Sequence, residues 1–280
     1  MFETITIGDS DGEILRADLF KPGQGEGPAP LIVAASGGGW RRGNRQSLEH
    51  WGRFFSAQGF AFASIDYRRA ASGPAWPGNV EDVARSLRYF AANAARHDLD
   101  AGRIGVLGAS AGAHLTALSL LSDAFDTPAV RCFAGIYGVY DLMIHWQHDL
   151  VVHGRHGQDL TERMLGCAPY DDPQRFHDAS PLRQITYGKA MPVFLSWGHN
   201  DREVAPDQSA AFAAALRQAG FPVRCREFDE AGHFWFSEED PGLPGNVSAR
   251  LAPELLLFFK RSLAPADIAA PRPAITARAV

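Results

Sequence analysis

A chain of 280 residues, 46% of them apolar, can bury a full core as one large domain or two small ones. A net charge of −5, with 27 Lys and Arg scattered in short pairs, excludes the basic footprint of a nucleic-acid or anionic-membrane binder. The N-terminus carries no basic n-region before an apolar run, and no apolar stretch reaches the roughly 18 residues that span a bilayer.

A cytoplasmic location is therefore expected. Cys132, Cys167 and Cys225 form no CxxC pair and no even framework, which also fits a reducing compartment.

In chain order, two alternating runs, Glu3–Ile7 and Ile14–Phe20, flank the turn-rich "GDSDGE" and predict a hairpin. After "KPGQGEGPAP" the continuous apolar run "LIVAAS" reads as a strand buried in a parallel sheet. Strand and helix patterns then alternate. A helix over Ser47–Ala57 precedes "FAFASID", one over Val80–His97 precedes "RIGVLGAS", and one over Ala111–Leu121 precedes "RCFAGIYG". Later come "MPVFLSWG", a helix over Asp207–Ala219, the strand "VRCREF" and a last helix over Pro253–Ser262. This alternation predicts an α/β fold, a mostly parallel twisted sheet of about eight strands with helices on both faces. Residues 141–189 break the rhythm after the sixth strand and are expected to form a lid-like insertion. Residues 1–263 read as one domain, and the Ala/Pro-rich residues 264–280 as a flexible tail.

Gly108-Ala109-Ser110-Ala111-Gly112 fits G-x-S-x-G, with a strand before it and a helix after it. That context is what a nucleophilic serine on a sharp turn requires. A serine needs a histidine to take its proton, and the histidine needs an acid to orient it. His233, in "DEAGHFWF", is the one histidine beyond residue 199 and follows the last strand pattern. For the acid, Asp201 lies just past "FLSWG", where catalytic groups gather in open parallel sheets. Asp141 is its rival, also after a strand, whereas Asp66 and Asp82 precede the serine and read as structural. The glycines of "AASGGGW" can aim backbone N–H groups at a developing oxyanion. Gly37, Gly38 and the N–H of Ala111 are the candidates.

With these residues in place, the chain resembles α/β-hydrolases of the carboxylesterase group, the feruloyl/acetyl-xylan esterase-like and kynurenine formamidase-like proteins. The resemblance runs from "LIVAASGGGWRRG" to the final helix and includes "WPGNVEDVARSLRYF", "DASPL" and "AGFPVRCREFDEAGH". It implies an α/β-hydrolase fold with Ser110 as nucleophile, Asp201 as acid and His233 as base. One position departs from the group: Ser36 stands where its glycine loop usually begins with histidine.

Other features are less specific. His145, His148, His153 and His156 crowd the insertion without a completing cysteine or carboxylate pattern, so a solvated or substrate-facing cluster is expected and no metal. Trp40, Trp76, Phe234 and Trp235 either line an apolar substrate pocket or pack in the core. Arg41 and Arg42 read as solvated surface residues. The expectation is a serine esterase that needs no cofactor and whose partner is a small-molecule ester. Nucleic acid and membrane are not expected, and a homodimer stays open. Arylformamidase-type amide hydrolysis and a catalytically silent binding module are the alternatives.

Overall fold

Eight strands form one sheet in the order β1-β2-β4-β3-β5-β6-β7-β8. The computed structural model describes residues 2–10, 12–23, 27–154 and 160–265. The tail from residue 266 onward and His156 lie outside the described residues.

The strands are β1 (Phe2–Ser10), β2 (Glu13–Phe20), β3 (Ala29–Ala35), β4 (Ala61–Ile65), β5 (Leu99–Ala109), β6 (Cys132–Ile136), β7 (Val193–Gly198) and β8 (Val223–Phe228). The hairpin pair β1 and β2 is antiparallel, and β2 joins β4 antiparallel. All pairings from β4 to β8 are parallel. Parallel strands need crossover connections, and the helical segments of the sequence supply them. The helices are α1 (Glu49–Ala57), α2 (Gly78–Ala92), α3 (Ala111–Leu121), α4 (Leu142–Val152), α5 (Leu160–Leu165), α6 (Pro173–Asp178), α7 (Pro206–Gln218), α8 (Trp235–Glu238) and α9 (Val247–Ser262).

Side chains alternate across a strand, so Gly105 and Gly108 of β5 mark opposite sheet faces. A methyl on Gly108 would collide with Ala113 of α3, and one on Gly105 would meet Phe259 of α9. Each face is therefore covered by helix packed directly on the central strand. Every residue of α3 is buried, which explains why its sequence is apolar all round rather than striped.

Two helix boundaries differ from the sequence expectation for local reasons. α9 begins at Val247, well before Pro253, because the Asn246 side chain caps it by accepting from the Ala249 N–H. Pro253 then lies inside a helix that buries Leu251, Leu255 and Phe259. The predicted helix Val80–His97 ends as α2 at Ala92 and resumes only as a 3₁₀ turn over Ala95–His97. There the Asn93 amide donates to the Tyr89 carbonyl, a local bond that competes with continuation.

Between β6 and β7, residues 141–189 carry α4, α5, α6 and two 3₁₀ turns, with no strand among the described residues. No helix among the described residues is long and apolar enough to cross a membrane.

Candidate active site

Ser110 stands at the turn between β5 and α3 with φ 53° and ψ −123°, in a region that L-residues avoid. Such backbone costs on the order of 1–3 kcal/mol and persists only where neighbours over-determine it. The Ser110 N–H donates to Ile136 at the end of β6, and the Ser110 carbonyl accepts from the His114 N–H. Gly112 is needed for close approach: a methyl there would sit 2.2 Å from the Ala35 carbonyl oxygen at the end of β3.

His233 follows β8. Its Nε2 lies 2.9 Å from Ser110 Oγ, and its Nδ1 lies 2.6 Å from Asp201 Oδ2. Asp201 follows β7, and its Oδ1 accepts from the N–H groups of Glu203 and Val204 at 3.0 and 2.9 Å. Both carboxylate oxygens are thus occupied, one by the turn and one by the imidazole. This network sets the tautomer: Nδ1–H donates to Asp201, leaving Nε2 to accept from the serine hydroxyl. The Tyr137 ring packs 4.3 Å from the His233 ring, and Trp235 packs edge-on against Tyr137.

The rival acid Asp141 has other work. Its Oδ1 caps α4 through the Met143 and Ile144 N–H groups, and its Oδ2 accepts from Arg183. Asp66 accepts from Arg45, and buried Asp82 accepts from Arg68.

The glycine loop is fixed without a histidine at its head. Ser36 is buried, and its Oγ donates to the Asn44 carbonyl at 2.7 Å. Tyr67 Oη donates to the Ser36 carbonyl at 2.9 Å, and Gly38 O accepts from the Arg41 and Arg42 N–H groups. At Gly38 φ is 120°, a backbone open to glycine and few others. Gly37 touches Ser110 closely, since a methyl on it would lie 2.9 Å from Ser110 Cβ. Ala111 is the first residue of α3, so its N–H has no acceptor within the helix.

A side chain that sequence reasoning passed over holds this loop to α3. The Trp40 indole Nε1–H donates to His114 Nδ1 at 3.0 Å, while His114 Nε2 lies 2.7 Å from the Ala179 carbonyl, to which it donates. Burial pushes the His114 imidazole down to about 4, so the ring is neutral and its tautomer is fixed by two partners. The available signal was one histidine inside an otherwise apolar helix, "AGAHLTALSLL". His114→Leu leaves the buried indole N–H unpartnered, a loss of about 1–3 kcal/mol in stability. It is also expected to lower kcat toward an aryl ester by about tenfold or more, with KM less affected, because loop donors drift from the oxyanion position. His114→Gln keeps an acceptor for the indole and is expected to lose less. Steady-state kinetics beside thermal melts check both.

A cavity of about 330 Å³ opens over Ser110 and is lined in part by Gly38, Gly39, Ala111 and His233. Of the four candidate aromatics, it brings in Trp40 and Phe234 and not Trp76 or Trp235. Trp76 packs edge-on against Phe125, and Trp235 stands behind Tyr137. Arg41 and Arg42 line the cavity rather than open surface alone. Among the insertion's described histidines, His145 and His148 stack with ring centroids 6.5 Å apart. His145 is buried in the cavity wall, His148 Nε2 lies 2.9 Å from the Arg202 carbonyl, and His153 is exposed near Glu203. Among the described residues no group of three or more His, Cys, Asp or Glu is placed to hold a metal ion.

Burial also pushes His145 down to about 3. His114 and His145 stay neutral in the folded chain, whereas an unfolded imidazole takes a proton near about 6.5. The unfolded state then binds more protons, so stability falls as pH drops from about 6.5 toward 4. Asp149, pushed up to about 6 by burial, acts in the opposite sense, but one carboxyl is set against two imidazoles. Thermal melting is expected to show a Tm that declines across this window. A flat Tm would contradict the neutral assignment.

The BD-FAE family profile matches residues 17–216. Esterase LipC of Mycobacterium tuberculosis is 32% identical over 221 residues, covering 74% of this chain and 53% of that protein. Isoprenylcysteine alpha-carbonyl methylesterase ICME of Arabidopsis thaliana is 26% identical, covering 94% of this chain and 69% of that protein. The chain spans about half the length of the mycobacterial relatives it matches. Among solved structures, the native Est2 esterase of Thermogutta terrifontis superposes with a TM-score of 0.74 at 22% identity, covering 95% of this chain and 94% of that one. An acetyl ester-xyloside bifunctional hydrolase from Caldicellulosiruptor lactoaceticus gives 0.76 at 21% identity, covering 92% and 95%. At that identity these two likenesses speak to the fold, an α/β-hydrolase sheet with its helices.

Proposed function

The chain belongs to the BD-FAE family, and from that premise we propose that it hydrolyses carboxylic esters through an acyl-enzyme formed on Ser110. The observation that carries this reading is the pair of contacts at His233, 2.9 Å to Ser110 Oγ on one ring nitrogen and 2.6 Å to Asp201 on the other. His233 Nε2 takes the hydroxyl proton as Ser110 Oγ attacks the ester carbonyl carbon. The imidazolium so formed is stabilised by Asp201, which stays ionised. The negative charge on the former carbonyl oxygen is met by backbone N–H groups of Ala111 and of the glycine loop. From Gly37 and Gly38 we assign Gly38 as the loop donor, because it lines the cavity. Collapse of the tetrahedral intermediate breaks the bond to the alcohol oxygen, which leaves with the proton from His233. Water, deprotonated by the same nitrogen, then attacks the acyl carbon; the bond to Ser110 Oγ breaks as His233 returns the proton to that oxygen, and the acid is freed.

Relatives named as esterases support the reaction class. Three free cysteines fit a reducing, cytoplasmic compartment. The test is turnover of a chromogenic short-chain aryl ester beside an arylformamide of matched size. Faster ester cleavage supports the proposal. Faster formamide cleavage moves it to amide hydrolysis, and no turnover of either by folded protein overturns it.

A further inference from the structure

On the cavity wall, α4 presents two polar side chains that the proposed chemistry leaves unused. Asp149 is 9% exposed and His145 4% exposed, and both line the cavity that holds Ser110. Asp149 Oδ2 and His145 Nδ1 are buried and have no hydrogen-bond partner among the described residues. The nearest approach between the two side chains, His145 Nε2 to Asp149 Oδ2, is 3.7 Å, beyond hydrogen-bond reach. A buried carboxylate oxygen without a donor is strongly disfavoured, and native chains satisfy nearly all such groups. Its survival on the wall of a substrate-sized cavity points to a ligand that brings the missing donor.

The surroundings specify the charge of that donor. Glu203 adds a second carboxylate to the same lining. Among the described residues, burial raises the Asp149 carboxyl most, while His153 and His148 draw it down and Glu203 pushes it up. The neighbouring His145 ring is neutral, and the Trp40 ring packs 5.9 Å from it. The exposed Phe234 ring adds a second aromatic face to the cavity. A hydroxyl would answer the hydrogen bond but leave the carboxylate charge uncompensated. An ammonium answers both and gains from the aromatic faces.

We propose that Asp149 anchors a subsite for an alkylammonium group, so that the preferred esters carry a protonated amine within reach of the scissile carbonyl. The word ester rests on the function proposed above, whereas the ammonium site stands on α4 and the cavity alone. Arg41 and Arg42, which follow the glycine loop in the chain, also line the cavity.

The test uses the full chain and two probes of equal length, butylammonium and butan-1-ol. Binding is followed by ligand-observed NMR in mildly alkaline buffer, above the pH at which Asp149 takes up a proton. Wild type is expected to hold butylammonium about tenfold more tightly than butan-1-ol. Asp149→Asn, which keeps the side-chain shape, is expected to lose that preference. Equal binding of the two probes by wild type, or an undiminished preference in folded Asp149→Asn, overturns the proposal. Should Asp149→Asn fail to fold, the wild-type comparison decides alone. Turnover of p-nitrophenyl 6-aminohexanoate against p-nitrophenyl heptanoate separates the two readings. Ammonium binding without turnover of either ester refutes the catalytic reading and keeps the site. Turnover of both esters without an ammonium preference refutes the site and keeps the catalysis.

Discussion

Replacing Ser110 with alanine is expected to lower kcat toward a short-chain aryl ester by about 10⁶-fold, with the fold intact. The substitution removes one oxygen at a turn whose other bonds are all backbone, the Ser110 N–H to Ile136 and the His114 N–H to the Ser110 carbonyl. Alanine carries the same positive-φ strain and leaves His233 held by Asp201. No other hydroxyl takes its place at His233 Nε2, whose partner is Ser110 Oγ. The residual rate belongs to the oxyanion donors and to substrate binding, which survive the change. Steady-state kinetics beside a thermal melt check it. A loss below about a hundredfold in a folded variant would mean that water, not Ser110, attacks the ester.

Asp201→Asn is expected to cost about 10⁴-fold in kcat, and again the geometry gives the reason. Asp201 Oδ1 accepts from two backbone N–H groups, those of Glu203 and Val204. An asparagine must keep its carbonyl oxygen there, because its amide protons cannot face two donors. The NH₂ group is then turned toward His233 Nδ1, which must accept rather than donate. The proton moves to Nε2, and the imidazole can no longer take one from Ser110. Since the turn retains both of its bonds, stability should change little while activity collapses. A variant that loses stability and activity in parallel would mark Asp201 as structural.

The sequence singles out Ser110 and His233 because their signals are local or set by chain order. Strand, turn and helix surround Ser110 within "RIGVLGASAGAHL", and chain order narrows the histidine to one candidate. The central strands were readable for the same reason, since parallel strands buried on both faces appear as short continuous apolar runs, whereas β1 and β2 read through their alternation. What escaped depends on contacts between distant segments. His114 faces Trp40 from 74 positions away, so nothing near either residue announces the bond. Asp149 and His145 line the cavity only because α4 folds back from the end of β6, in a segment with no strand periodicity to fix its register. The aromatics divide similarly: Trp40 and Phe234 reach the cavity on positive-φ backbone, φ 55° and 67°, which side-chain type does not predict. Ser36 was legible as a departure but not in its consequence. The bonds with Asn44, Tyr67 and His114 that stiffen the glycine loop come from three separate stretches of the chain.

The most direct test of an activated serine is covalent labelling with a fluorophosphonate probe, mapped by mass spectrometry. The phosphorus is attacked by an oxygen whose proton has been taken, and fluoride leaves. A single adduct on Ser110 in wild type, absent from His233→Ala, is the predicted result. An unlabelled but folded wild type, or an adduct on another residue, would contradict the account at its centre.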